Sequence, residues 1–164
     1  MTAYAQPIFR EEQRFRDVWW IMLLVFGLAA LQWALAIQHF VFGQPPGNNP
    51  APASMTLLFW IIFGNGFPLF FWWLRLVVTV YADKVDIRFA PFVRRVIPKA
   101  EIARVRPLDY RPLRDFGGWG VRGWGNRVAY NVRGSRGVEL TLSDGRVVVL
   151  GSQTPEALAA AISH

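Results

Sequence analysis

Two long stretches without an Asp, Glu, Lys or Arg divide this chain, and they constrain it more than any other feature. Residues 18–42, from Val18 to Phe42, hold His39 as their sole titratable group, and residues 55–74, from Met55 to Leu74, hold none. About 20 helical residues cross the hydrocarbon core of a bilayer. Between the stretches lies QPPGNNPAPAS (44–54), whose prolines, glycine and asparagines do not continue a helix. The pattern predicts a transmembrane hairpin, with helices over 18–42 and 55–75 joined by an external loop over 43–54. A cleaved signal peptide fits less well, because the first apolar stretch exceeds a secretory core region and a second span follows it. Ala51 and Ala53 form a cleavage-like pair, but Pro50 and Pro52 flank and interrupt it.

Orientation follows from Arg and Lys near the span ends, which favour the cytoplasmic side. The loop 43–54 has neither, whereas Arg10, Arg14 and Arg16 precede the first span and Arg75, Lys84, Arg88, Arg94 and Arg95 follow the second. Both termini are therefore expected in the cytoplasm, with residues 1–17 as an N-terminal segment and the spans in the inner or plasma membrane. Trp19 and Trp20 at one end, and Trp72 and Trp73 at the other, then share one interface, the depth that indole rings prefer. Arg75 completes this set of anchors by extending its guanidinium toward the headgroups.

Gln32 and Asn65 are polar residues inside the spans. In an antiparallel pair of helices, residues at one depth have numbers that sum to about 95–97, from helix length and rise. Gln32 then lies level with Asn65, Ala30 with Gly66, and Ala34 with Ile62. Small residues permit close approach, and an amide pair adds about 0.6–2 kcal/mol in lipid. These residues are expected to hold the helices together, the alternative being a polar site or pore. Pro68 in GNGFP (64–68) is expected to kink the second helix, because it has no N–H to donate.

After Arg75 the apolar period changes from helical to two. Val78 and Val80 alternate with Thr79 and Tyr81, and Val85, Ile87 and Phe89 with Asp86 and Arg88, around a turn at residues 82–84. Further strands are expected over 92–97, 101–108, 128–132, 137–142 and 146–150, with a long loop over 109–127. Asp144–Gly145 marks the turn between the last two strands. Thr154, Pro155 and Glu156 open a C-terminal helix whose Leu158, Ala161 and Ile162 share a face. The fold class is α+β: a two-helix hairpin followed by a small antiparallel β barrel or sandwich of about seven strands over 76–164, closed by one helix.

Seven strands capped by a C-terminal helix resemble a pleckstrin-homology-like barrel. Across the whole chain, REEQRF (10–15), the Pro68 region, YRPLRDFGGWGVR (110–122), AYNVRGSRGVEL (129–140) and DGRVVVLGSQTPEAL (144–158) carry a further resemblance. The chain looks like an uncharacterised bacterial family in which two membrane helices precede a PH-like domain. That resemblance brings no activity, substrate or catalytic residue. The basic first loop through which pleckstrin-homology domains often bind phosphoinositides is absent, since the corresponding turn holds only Asp83 and Lys84.

Composition narrows the chemistry further. The net charge is +7, carried almost wholly by arginine, and there is no cysteine, which excludes disulfides, thiolate metal sites and cysteine nucleophiles. His39 and His164 lie far apart and the carboxylates are scattered, so no metal site, cofactor or catalytic constellation is expected. GWGVRG (118–123) matches the dinucleotide pattern G-x-G-x-x-G, but between antiparallel strands it lacks the strand–helix context that pattern needs. The most unusual segment is 109–136, where arginines and aromatics interleave. Arg111, Arg114, Phe116, Trp119, Arg122, Trp124 and Arg127 are its candidate lipid- or partner-binding residues. Three readings stand: rings covering the β domain with solvated arginines, a patch facing anionic lipid, and a protein interface. The expected function is that of a non-enzymatic integral membrane protein. Its basic domain would dock on the cytoplasmic leaflet or on a membrane-protein partner, with self-association included and no nucleic acid or small-molecule substrate. The alternative is a structural subunit of a larger membrane complex assembled through the hairpin.

Overall fold

The structure is a computed structural model that describes residues 6–44, 47 and 49–164, apart from the side chain of Trp124. In chain order the elements are β1 (Phe9–Arg14), α1 (Trp19–Phe40), α2 (Ala53–Phe59), a π-helical segment (Trp60–Gly66) and α3 (Phe67–Trp73). There follow β2 (Arg75–Val80), β3 (Lys84–Ala90), β4 (Val93–Pro98), β5 (Ile102–Asp109), α4 (Pro112–Phe116), β6 (Gly120–Trp124) and β7 (Arg127–Asn131). The chain closes with β8 (Arg136–Leu142), β9 (Val147–Gly151) and α5 (Pro155–Ser163). The elements form two compact units: residues up to Arg14 together with Arg75–His164, and Phe15–Leu74.

The first unit holds two open sheets. One runs β1-β2-β3-β4, antiparallel throughout, and the other runs β5-β8-β9-β7-β6. Period-two alternation turns Leu76, Val78, Val80, Val85 and Ile87 of the first sheet to an inner face, and Val138, Leu140, Val148 and Leu150 of the second; all are buried. α5 packs on β5 and β8, and its Leu158 and Ile162 join this core. Lys99 fastens the helix by donating from Nζ to the Ala161 carbonyl at 2.8 Å.

Two strands depart from the expected set. Residues 9–14 were expected as a flank, yet β1 pairs along its whole length with β2, from Phe9↔Val80 to Arg14↔Arg75. Its inward side chains include Glu11 and Gln13, so hydrophobic alternation could not mark it. Hydrogen bonds replace that signal. Gln13 Nε2 donates to the Gly151 carbonyl at 2.8 Å, while Glu11 accepts from Ser152 Oγ at 2.5 Å and from the Gln153 N–H at 2.8 Å. The other departure is the segment 109–127, expected as one loop, which contains α4 and β6. The described residues therefore hold nine strands rather than seven. The pairing is not all antiparallel either, because β7 and β9 run parallel, with β8 supplying the crossover.

The second unit consists of two helical stretches, 19–40 and 53–73, each long and apolar enough to cross a membrane. Contacts run along their length in opposite chain directions: His39 Nδ1 to Thr56 Oγ1 at 3.0 Å, Trp33 Nε1 to the Gly64 carbonyl at 3.3 Å, and the Phe15 N–H to the Leu74 carbonyl at 3.1 Å. Met22, Val25, Ala29 and Ala36 form the buried stripe of α1. Burial reaches only 28% of the most apolar window in the first stretch and 11% in the second, far below what the core helix of a water-soluble fold would show.

The second stretch ends at Trp73, and Arg75 begins β2 instead of closing the helix. Upstream of Pro68 the helix widens, with the Phe67 N–H bonded back to the Ile62 carbonyl, five residues earlier. Pro68 cannot donate to the carbonyl four residues before it, that of Gly64. The Trp33 indole on α1 donates there instead.

Two outcomes follow for stability. The fragment 76–164 lacks β1 and is expected to give a collapsed, poorly dispersed amide NMR spectrum. A chain in which a four-residue turn replaces residues 15–74 keeps β1 beside β2 and should give a dispersed one. Separately, a Cβ on Gly137 would stand 2.3 Å from the Leu150 carbonyl oxygen. Gly137→Ala should therefore destabilise the β unit by about 3 kcal/mol, measured by thermal unfolding.

Candidate functional site

The arginine- and aromatic-rich segment 109–136 is largely folded onto its own domain. After β5 the chain turns back so that Tyr110 and Phe116 pack on Ala129 and Val149, on the outer side of the second sheet. The Tyr110 and Phe116 rings meet edge to face at 5.8 Å, and burial pushes the Tyr110 phenol pKa up. Pro112 opens α4, Asp115 accepts from the Arg111 N–H at 2.8 Å, and Gly117 closes the turn at φ +70°, where a side chain would be strained.

Among the candidate residues, Arg127 is committed twice. Its guanidinium lies 5.3 Å from the Phe116 ring centroid and donates to Glu139 Oε2 at 2.9 Å. Arg106 takes the other Glu139 oxygen at 2.7 Å. Arg122 donates to the Trp119 carbonyl at 3.2 Å. Arg111 and Arg114 stay exposed, beside an exposed Leu113. Trp119 is half-buried, and the side chain of Trp124 lies outside the described residues. The glycines of GWGVRG lead into β6 of an antiparallel β6–β7 hairpin, and no helix follows them.

The helix-packing residues also fall differently from expectation. Ala30, Ala34 and Gly66 are exposed, and Ala29, Ala36 and Gly64 take the buried positions. A Cβ on Gly64 would lie 3.5 Å from Gln32 Cβ and 3.6 Å from Trp33 Cδ1. Asn65 turns to its own helix and donates to the Trp60 carbonyl at 3.1 Å instead of facing Gln32. The contact depth matches helix length and rise, while each helix turns to its neighbour a different face from the one expected. Trp19, Trp20, Trp72 and Trp73, the expected interface anchors, are all exposed, and Arg16 lies 5.1 Å from the Trp72 ring centroid.

A second concentration of charge appears on the outer face of the first sheet. Register places Arg10, Glu12 and Arg14 of β1 beside Thr79, Val77 and Arg75 of β2, then Asp86, Arg88 and Ala90 of β3, and Arg94 of β4. Five guanidinium groups thus stand on one face with two carboxylates. Arg14 and Arg75 meet Glu12 at 2.6 and 3.5 Å, and Arg88 and Arg94 both meet Asp86 Oδ2 at 2.9 Å. Arg10 makes no ion pair among the described residues. In the sequence these arginines read as charge flanking the spans, with Arg75 also an expected interface anchor, because the face assembles only when β1 pairs with β2.

The electrostatics of this face can be tested by pH. Burial works to raise the pKa of Asp86, but hydrogen bonds from Arg94 and Arg88 outweigh it and the net shift is downward. The Arg14 hydrogen bond likewise lowers Glu12 against the opposing effect of burial. A carboxylate with a depressed folded pKa stabilises the fold above its unfolded pKa, about 4, and loses that contribution as pH falls through the folded value. The melting temperature of the β unit should therefore drop below about pH 4. Asp86→Asn should cost about 1–2 kcal/mol at neutral pH, because half-exposed Arg88 and Arg94 can turn to water. The same variant should flatten the acid limb of the profile.

Comparison with known proteins finds no match among curated proteins. A family model does match residues 3–164, the one described as "Family of unknown function (DUF6141)". The chain belongs to that family, DUF6141.

Proposed function

We propose that this is a multi-pass membrane protein with both termini in the cytoplasm, and that its β unit is a non-catalytic docking module held at the inner leaflet. One observation carries the reading: the two candidate spans are inserted between β1 and β2, neighbouring strands whose sheet bears an excess of arginine on its outer face. Arg14 and Arg16 precede the first span, Arg75 follows the second, and the intervening 43–54 has no basic residue, the distribution favoured by cytoplasmic flanks. A leaflet rich in anionic lipid attracts each nearby base by about 1 kcal/mol, so a tethered basic sheet needs no high intrinsic affinity to stay docked. A membrane-protein partner could use the same surface. The likeness to a pleckstrin-homology domain belongs to this reading as well, through the four-stranded sheet and the C-terminal helix; the parallel β7–β9 pair departs from it.

The absence of cysteine makes a clean topology test available. Asn49→Cys should react with a membrane-impermeant maleimide in intact cells, and His164→Cys only after permeabilisation. Labelling of residue 164 from outside, or extraction of the full chain by alkaline carbonate, would defeat the proposal.

A further inference from the structure

We infer that the outer face of the first sheet carries a binding site for the phosphate of an anionic membrane lipid, formed by Arg10, Arg75 and Arg88. The inference rests on the membrane reading above and names the chemistry that this surface meets.

The three arginines line one cleft of about 280 Å³, together with Thr79, Tyr81 and Val77. Val77 is 9% exposed and forms an apolar floor, while Thr79 and Tyr81 contribute hydroxyl groups to the lining. The volume lies just below the range of about 300–1,000 Å³ usual for small-molecule sites, so it suits a headgroup better than a larger ligand. Guanidinium groups are the side chains best matched to phosphate, because their planar forks donate two parallel hydrogen bonds.

The charge on this face is not balanced from within. Glu12 is shared by Arg14 and Arg75, and Asp86 by Arg88 and Arg94. Arg10 has no carboxylate of its own among the described residues, although it lies close enough to help lower the pKa of Glu12. Converging like charges repel unless an anion sits among them, and the excess here is three positive charges.

Chain length decides which anion that is. Arg75 lies two residues after Trp73, the last residue of α3, so their Cα atoms are at most about 8 Å apart. Tryptophans that end a span sit at headgroup depth. Lipid phosphates are therefore the anions nearest to Arg75, at a local concentration that no soluble phosphate approaches. Arg10 and Arg88 reach the same cleft because β1 and β3 flank β2.

The full-length chain in mild detergent, titrated with phosphatidylglycerol and followed by native mass spectrometry, tests the site. The wild type should retain one phosphatidylglycerol in preference to phosphatidylcholine. Arg10→Gln should weaken that binding at least tenfold, and Arg10→Lys by less, since it keeps the charge but loses the fork. Arg10 leaves no carboxylate stranded when replaced, so its melting temperature should match the wild type. Arg146→Gln, at the Asp144–Gly145 turn, should bind as the wild type does. Equal retention by the wild type and Arg10→Gln overturns the inference, as does equal binding of the two lipids. Displacement of the lipid by millimolar inorganic phosphate would assign the cleft to a soluble anion and overturn it too. If the cysteine labelling above excludes membrane crossing, the broader reading fails first. If labelling succeeds while Arg10→Gln changes nothing, this site alone is wrong.

Discussion

β1 and β2 are joined by six register pairs, from Phe9↔Val80 to Arg14↔Arg75, yet the helical unit lies between them in sequence. Facing residues on antiparallel strands have Cα atoms about 4.5–5.5 Å apart. The chain must therefore leave the sheet and return to it within a single strand spacing. A lone span would separate its ends by the bilayer thickness, about 30 Å, so an insertion anchored this way must cross an even number of times or not at all. Two apolar helical stretches running in opposite directions meet that condition. The same pairing builds the arginine face, since Arg10 and Arg14 have no place on it without β1.

Inside the helical unit the governing constraint is backbone satisfaction. Proline in a helix removes a donor, and in an apolar environment the orphaned carbonyl has no water to turn to. Three features meet at that point: the widened turn over Trp60–Gly66, the Trp33 indole bonded to the Gly64 carbonyl, and a glycine where a side chain would press on Trp60 at 3.0 Å. The edge-to-face contact of Trp33 with Trp60 at 5.0 Å completes the arrangement. Helix contact and proline accommodation are thus one local solution, which explains why Gly64 rather than Gly66 is buried.

Much of this was legible in the residues. The candidate spans follow from missing charge, β3 and β8 from alternation of apolar with polar side chains, and β9 from a short run of β-branched residues after the Asp144–Gly145 turn. β1 was not legible because Glu11 and Gln13 occupy its inward positions, and their partners at 151–153 are distant in sequence. β6 was hidden by its glycines, which read as loop. No local pattern announces that β9 inserts between β8 and β7, because that order depends on which edges remain open after the hairpins form. The segment 109–136 stood out by composition, but composition could not assign Arg127 to Glu139 and Phe116. The arginine face of the first sheet needed a register that only the assembled sheet supplies.

The interrupted β1–β2 pair also bears on how the protein is made. During synthesis β1 leaves the ribosome well before β2, and everything from Phe15 to Leu74 emerges between them. For a chain that crosses the bilayer, the sheet cannot be completed until both spans have been delivered and the polypeptide has come back to its starting side. Such a chain, if it failed to return, would leave β1 and β2 on opposite sides of the lipid and β2 with an unpaired edge. Closing the β1–β2 pair is thus open only to a chain whose helical segment has come back to the side it left.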